Sequence, residues 1–513
     1  MDSDARTALP SALPPPIRAV RNGEAVARAD VPSASMDDFR RAVLGACSAK
    51  ARLAAMAVLP DLARGRVLLA VLADDKSQRL GLLCTDVPLH NRYPALTPEL
   101  PQAQAFEREI LETHGIVPEG HPWPKPLRRH AELEGPCDAR VDPDGYPFFR
   151  VEGPGIHEVA VGPVHAGIIE PGHFRFQCHG ETVLHLEIQL GYQHRDAQAL
   201  LLRSSPARRL VIAETIAGDT SVGHALAYSM ALEALTDTAP TPQAEAMRGI
   251  ALELERLANH VGDLGALCSD VGYLPGASWF GRLRGDFLNL SLEICGSRFG
   301  RGLVVPGGVR FDLPVAGRGP FLARLQAAGT DLRHIADVVF QTSAVVSRFD
   351  GTGVVTTATA ETLGLVGVAA RASGCDRDVR RDHPAGIYRR TNIEPAAASS
   401  GGVMARAQIR RREADHSIAL VREQVETLPD GARSVALGQT RPHALVVTLV
   451  EGWRGEIAHV AASDHKGQLA AYQVVDPSFH NWLGLALAMR GGQISDFPLC
   501  NKSFNLSYAG HDL

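Results

Sequence analysis

The stretch Met247-Arg248-Gly249-Ile250-Ala251-Leu252-Glu253-Leu254-Glu255-Arg256-Leu257-Ala258-Asn259-His260-Val261-Gly262-Asp263-Leu264 sets the frame of this chain. Met247, Ile250, Leu254, Leu257, Val261 and Leu264 recur at three- and four-residue spacing. That is the period of a helix with one buried face, and it predicts a helix over residues 245–267. Glu253, Arg256 and His260 stand at i, i+3 and i+7 of the same helix, beside the apolar stripe rather than opposite it. Two readings follow: a buried charge cluster that fixes two helices, or part of a polar path.

Outward from this helix the pattern divides. Residues 1–35, rich in Ala, Pro and Asp without periodicity, read as a disordered leader. Residues 36–130 read as a small α+β unit, with a helix near Met36 and strand-like runs Val67-Leu68-Leu69-Ala70-Val71-Leu72 and Leu80-Gly81-Leu82-Leu83-Cys84. Residues 131–150, with Gly135-Pro136 and Asp142-Pro143-Asp144-Gly145, read as a linker. Residues 151–513 form a larger unit. It starts with strands around Phe174-Arg175-Phe176 and Val183–Ile188, turns mainly helical, and returns to short strands and turns after Leu445. The fold class is therefore α+β, with a helical core and peripheral sheet in the large unit.

Composition narrows the function. The chain has 513 residues, with 52 Lys plus Arg against 57 Asp plus Glu, a formal charge of −5. A nucleic-acid partner is not expected, because phosphate neutralisation needs a basic surplus. No run reaches the ~18 apolar residues of a membrane span. The eight cysteines contain no C-x-x-C pair and read as reduced, buried thiols. No G-x-G-x-x-G follows a strand, so a nucleotide site in this chain is not expected.

Two blocks in the first unit are distinctive: Tyr93-Pro94-Ala95-Leu96-Thr97-Pro98 and Phe106-Glu107-Arg108-Glu109-Ile110, followed by Glu119-Gly120-His121-Pro122. They resemble the small (30 kDa-type) subunit of respiratory complex I. The large unit resembles the 49 kDa-type subunit of complex I and the large subunit of nickel–iron hydrogenases of the formate hydrogenlyase group. The residues that carry the likeness are Gly162-Pro163-Val164-His165, Glu170-Pro171-Gly172-His173-Phe174-Arg175, Gly191-Tyr192-Gln193-His194-Arg195, and Glu253-x-Glu255-Arg256-Leu257-x-x-His260. Pro306-Gly307-Gly308-Val309, Arg371-Ala372-Ser373-Gly374, Arg380-Arg381-Asp382-His383-Pro384 and Arg454-Gly455-Glu456 continue it. The fusion of both units in one chain resembles the formate hydrogenlyase and hydrogenase-4 type.

The resemblance also shows what is missing. Hydrogenases of this group hold nickel and iron with four thiolates in two C-x-x-C pairs. Aligned on His224 and Ala227-Tyr228, the first pair falls on Ala217 and Thr220; the second, in an expected final strand over 503–510, falls on Ser507 and Gly510. None is a cysteine. The family's proton-relaying glutamate falls on Gln198, which cannot ionise. Complex I subunits also lack the thiolates and offer a Tyr and a His to a quinone head group. The tyrosine position here is Gly218, and His165 or His173 stands nearest the histidine role.

In place of the thiolates stands Asp219-Thr220-Ser221-x-x-His224, which opens an apolar helix. It reads either as an N-cap or as a proton-carrying Asp219–His224 pair lining the former ligand pocket. The expected catalytic set is His165, His173, Asp219 and His224. Glu253, Arg256, His260, Arg371, Arg380, Asp382, Arg454 and Glu456 are expected to line the cavity or a proton path.

The resemblance implies a peripheral-arm subunit of an NAD(P)H- or ferredoxin-linked, quinone oxidoreductase-like complex that couples electron transfer to ion translocation. It implies no metal or other cofactor in this chain, with quinone as a possible ligand. It also implies an iron–sulfur partner of the complex I 20 kDa type, a membrane subunit of the complex I type, antiporter-like membrane subunits, and a cytoplasmic location on the inner face of the cell membrane. A scaffold with a vestigial pocket is the alternative, and a nickel–iron hydrogenase is a third.

Overall fold

The computed structural model describes residues 13–61, 64–128, 146–165 and 169–513. Strands Arg52–Asp61, Gly65–Asp74 and Arg79–Asp86 form an antiparallel meander in the N-terminal unit, with Arg18–Val20 on its free edge. Their Val, Leu and Ala runs are buried on both faces, as near-continuous apolar strands should be. Helix Met36–Ser48 covers one face through Phe39, Val43 and Ala46. Its start is capped by Ser35, whose hydroxyl accepts the Asp38 amide at 3.2 Å. Helix Gln104–His114 ends at Gly115, whose φ of 62° turns the chain out of the helix.

The leader expectation is corrected for residues 13–35. Arg18–Val20, Val26–Ala27 and Ser33–Ala34 are all paired strands, and Val20 is buried. Val26–Ala27 joins not the N-terminal sheet but the strand Ala444–Glu451 of the large unit. Edges of two or three residues carry too little periodicity to be read before their partners are known. Residues 1–12 of the expected leader, and most of the expected linker at 131–150, lie outside the described residues.

In the large unit the helix predicted over 245–267 is observed as Pro242–Asp270. Thr241 caps it by accepting the Ala244 amide, and Pro242 stands where no amide is needed. It packs against Leu274–Cys295 and Val403–Glu426. Helix Ser221–Leu235 lies on the strands Ala444–Glu451 and Glu456–Ser463, and Leu469–Val475 completes that antiparallel sheet. The core of the N-terminal unit runs on into these strands through Leu445, Val447, Val460 and Val475, so the two units share one interior. A three-stranded antiparallel sheet, Ile156–Val161, His173–His179 and Thr182–Gln189, flanks the C-terminal helices.

The expected final strand over 503–510 is corrected. Helix Phe497–Phe504 ends at Asn505 in the left-handed region (φ 45°), and a short helix Tyr508–Asp512 follows, capped by Ser507.

Candidate functional site

The four positions that correspond to metal ligands do converge. Ala217 and Thr220 lie on the loop before helix Ser221–Leu235, and Ser507 and Gly510 on the C-terminal turn; all four are buried. Thr220 reaches the pocket's guanidinium: Arg454 Nη1 donates to Thr220 Oγ1 at 3.2 Å. Ser507 Oγ accepts the Gly510 amide at 2.9 Å and is committed to its own helix. A Cβ on Gly510 would come within 2.6 Å of the Asp476 carboxyl carbon, so no side chain fits there without displacing that carboxylate. Neither the donor set nor the space fits a nickel–iron centre. Among the described residues, no group of three or more His, Cys, Asp or Glu is placed to hold a metal ion.

Two hydrogen-bonded acid–base pairs occupy this place. Arg454 grips Asp219 with both guanidinium ends, Nη1 to Oδ1 at 2.6 Å and Nη2 to Oδ2 at 2.7 Å. The Arg454 side chain is only 4% exposed while that of Asp219 is 34% exposed, so the pair presents its carboxylate toward solvent. Burial works against the charged carboxylate, but the guanidinium outweighs it and holds Asp219 below the usual range. The Asp219 carbonyl is fixed by Trp453 Nε1 at 3.0 Å and Asn259 Nδ2 at 2.9 Å. Behind it, His224 Nε2 meets Asp476 Oδ2 at 3.1 Å with both side chains fully buried. Burial opposes the Asp476 charge, yet His224 and then Arg454 hold its carboxyl low.

The expected Asp219–His224 pairing is therefore corrected: each residue takes a different partner. The N-cap reading is corrected as well. Thr220 holds the cap position without a side-chain bond. Glu255, from the neighbouring helix, accepts the Val222 and Gly223 amides instead, at 2.7 and 3.1 Å. Burial pushes the Glu255 carboxyl up to about 8 against those two amides.

His165 stands at the rim, on the connection between the first two strands of the flanking sheet, and His173 opens the second of those strands. The His165 Nε2 lies 2.9 Å from the Gly172 carbonyl, and the His173 Nδ1 lies 3.2 Å from the Gly162 carbonyl. Both rings thus tie the connection to itself. Burial lowers the His173 pKa, and its Nε2 has no partner. Glu170, on the same connection, accepts the Tyr508 amide at 3.1 Å and so fastens the rim to the C-terminal turn. Gly218, at the tyrosine position, is exposed and brings no donor.

Glu253, Arg256, His260, Arg371 and Arg380 form one buried network, completed by Glu413, Glu451 and Asp378. Glu253 accepts from Arg380, Arg256, Ser417 and Tyr388, which bring its carboxyl down to about 2 despite burial. Four carboxylates face three guanidiniums and one imidazole. Burial, with the neighbouring Asp378, pushes Glu451 up to about 7. The network also touches the pocket. Arg256 donates to the Glu451 and Gly452 carbonyls at 2.6 and 3.1 Å, on the turn that carries Trp453 and Arg454.

Two expected cavity residues lie elsewhere. Glu456 pairs with Arg52 of the N-terminal unit at 2.8 Å, and Asp382 accepts the Asp378 amide and the Arg381 side chain. A cavity of about 460 Å³ is also displaced from the pocket. It opens between Met230, Leu252, Ile387 and Val450, against Arg380 and Glu451 of the charge network. Sequence reasoning missed Asp476, His459, Glu255, Glu413 and Glu451. Asp476 carried one local signal, the Asp-Pro-Ser of a helix start, and its side chain does accept the Ser478 amide.

Family models match two parts of the chain: residues 270–441 match "Respiratory-chain NADH dehydrogenase, 49 Kd subunit" and residues 56–147 match "Respiratory-chain NADH dehydrogenase, 30 Kd subunit". The chain is 31% identical to the carbon monoxide-induced hydrogenase of Rhodospirillum rubrum over 68% of its own length and 97% of that protein. It is 28% identical to hydrogenase-4 component G of Escherichia coli over 82% of this chain and 76% of the other. A subunit of the membrane-bound sulfane sulfur reductase, an archaeal respiratory membrane complex, shares the fold with a TM-score of 0.66 at 21% identity, covering 70% of this chain and 99% of that one. This chain belongs to the family of complex I 49 kDa-type and membrane-bound hydrogenase large subunits, in the form fused to a 30 kDa-type unit. It is a peripheral-arm subunit, and no helix among its described residues is long and apolar enough to cross a membrane.

Proposed function

We propose that this chain supplies a metal-free, proton-handling pocket to a membrane-bound complex I-like oxidoreductase, with a quinone or related carrier as electron acceptor. Reducing a quinone to a quinol takes two electrons and two protons. The electrons reach the pocket from an iron–sulfur partner of the complex I 20 kDa type. The protons pass the Asp219–Arg454 pair at its mouth. The buried charge network links the pocket toward membrane and antiporter-like subunits that move ions, and the assembly sits on the cytoplasmic face of the membrane. His165 and His173 stand where a head group would meet ring nitrogens.

The observation that carries this reading is the arrangement of Asp219. Its carboxylate is part-exposed, its partner guanidinium is buried, and a second acid–imidazole pair stands directly behind. Such a pair can pass a proton between solvent and a dry interior. A quinone-reductase assay on the intact complex tests it: Asp219→Asn and His224→Gln should each lower turnover, whereas unchanged turnover in both removes the reading.

The second reading is a scaffold with a vestigial pocket. It is favoured by the Asp476 carboxylate pressed against Gly510 and by a roomy, part-apolar cavity lying elsewhere. On this reading neither variant alters turnover, while Arg256 variants disrupt assembly.

A further inference from the structure

Behind Asp219 the hydrogen bonds run on as a line. His224 Nε2 meets Asp476 Oδ2 at 3.1 Å, His224 Nδ1 meets His459 Nε2 at 3.1 Å, and His459 Nδ1 meets the Tyr472 hydroxyl at 2.8 Å. His224 and His459 are 0% exposed, Asp476 1% and Tyr472 4%. The four residues come from the start of helix Ser221–Leu235, two neighbouring strands and the N-cap of helix Pro477–Ala488.

The proton positions in this line follow from chemistry. Asp476 is an acceptor only, so His224 Nε2 carries a hydrogen. Burial keeps His459 neutral by holding its pKa well below the usual value. In the arrangement that lets His459 donate, its hydrogen sits on Nε2 and His224 Nδ1 accepts it. His459 Nδ1 is then an acceptor too, and the Tyr472 hydroxyl donates to it. Every bond is satisfied by neutral rings, and all three hydrogens point the same way, toward Asp476.

We propose that Tyr472, His459, His224 and Asp476 form a one-directional proton line that enters at Tyr472 and ends at the Asp476 carboxylate inside the degenerate metal pocket. This inference rests on the proton-handling reading of the pocket and names its inner supply. The transfer balances. A hydronium ion gives its proton to the Tyr472 oxygen, and the Tyr472 hydrogen moves to His459 Nδ1. The His459 Nε2 hydrogen moves to His224 Nδ1, and the His224 Nε2 hydrogen moves to Asp476 Oδ2. One proton enters, Asp476 becomes a carboxylic acid, and both rings end neutral with their hydrogens on the opposite nitrogens. Ring turnover must restore the line before a second proton passes.

The surroundings suit that direction. Asp476 faces Arg454 and, beyond it, Asp219 and His480. The Tyr472 ring lies 6.1 Å from that of Tyr228, whose buried hydroxyl has no partner and whose nearest charge is Arg209. His459 and Tyr472 act through Asp476 and are positioning residues.

Two measurements test this on the full chain and the intact complex. Nitrogen-15 NMR of histidine-labelled full chain should show His459 protonated on Nε2 and bare on Nδ1, and Tyr472→Phe should shift the bare nitrogen by removing its donor. In the complex, Tyr472→Phe should lower quinone-reductase turnover by about a hundredfold, the low end for losing a proton-transfer group, and enlarge the solvent deuterium effect. His459→Gln should do the same if Tyr472→Phe folds poorly. A His459 ring protonated on Nδ1 overturns the line. So does full turnover of Tyr472→Phe in a complex that Asp219→Asn has slowed, and that outcome leaves the pocket reading standing. Full turnover in both variants overturns the pocket reading and this line together.

Discussion

Gly510 lies against Asp476 so closely that a Cβ on the glycine would sit 2.6 Å from the carboxyl carbon and 2.7 Å from Oδ2. The position where the hydrogenase resemblance places a thiolate is here the floor beneath a buried acid. Gly510→Ala should therefore cost about 1–3 kcal/mol, the usual range for overpacking a tight interior. Thermal unfolding checks it. A neutral Gly510→Ala would mean that Asp476 yields easily and that the pocket is roomier than its contacts imply.

Arg454→Ala removes the partner of Asp219. Because the carboxyl of Asp219 is held below its ordinary value in the folded chain, the pair's contribution is complete above the unfolded value near ~3.9. It is lost as pH falls through the folded value. The variant should lose about 2 kcal/mol at neutral pH, less than the ~3–5 kcal/mol of a fully buried pair because Asp219 keeps contact with water. The difference from wild type should shrink as pH falls below the unfolded value, as denaturant midpoints across pH would show.

Glu255 has the opposite sign. Its carboxyl is pushed up to about 8 by burial, so the folded chain holds a proton that the unfolded chain releases near ~4.3. Stability should fall as pH rises between these values and level off above 8. Glu255→Gln should flatten that slope, and an unchanged slope would assign it to another group.

In the buried network, Arg256→Ala leaves Glu253 and Glu413 each short of a partner and frees the turn that carries Arg454. A loss of about 3–5 kcal/mol is expected, a large share of a typical domain's stability. Calorimetry of the full chain reads it directly.

Much of this architecture was legible in the sequence, and the failures have physical causes. The helix around Glu253 announced itself because six apolar residues keep one period, and the strands around Leu69 and Leu82 did so through unbroken apolar runs. The paired edges at Arg18, Val26 and Ser33 are too short to show a period and exist only because a neighbouring strand receives them. The segment around Ser507 is rich in small residues that suit a strand or a tight turn equally, and Asn505 decides for the turn. The acid–base partners were least visible. Asp476 stands 252 residues from His224, and Arg454 stands 235 from Asp219. No local spacing connects such pairs. The one cap that sequence rules addressed was supplied by Glu255 from another helix, which no N-cap pattern encodes.

Nickel quantification on the intact, purified complex tests the central claim most directly, because a bimetallic centre and the Asp219–Arg454 and Asp476–His224 pairs cannot share one space. The expected result is no nickel above background, in a preparation whose iron is accounted for by iron–sulfur clusters. Stoichiometric nickel that stays with this chain through purification would contradict it.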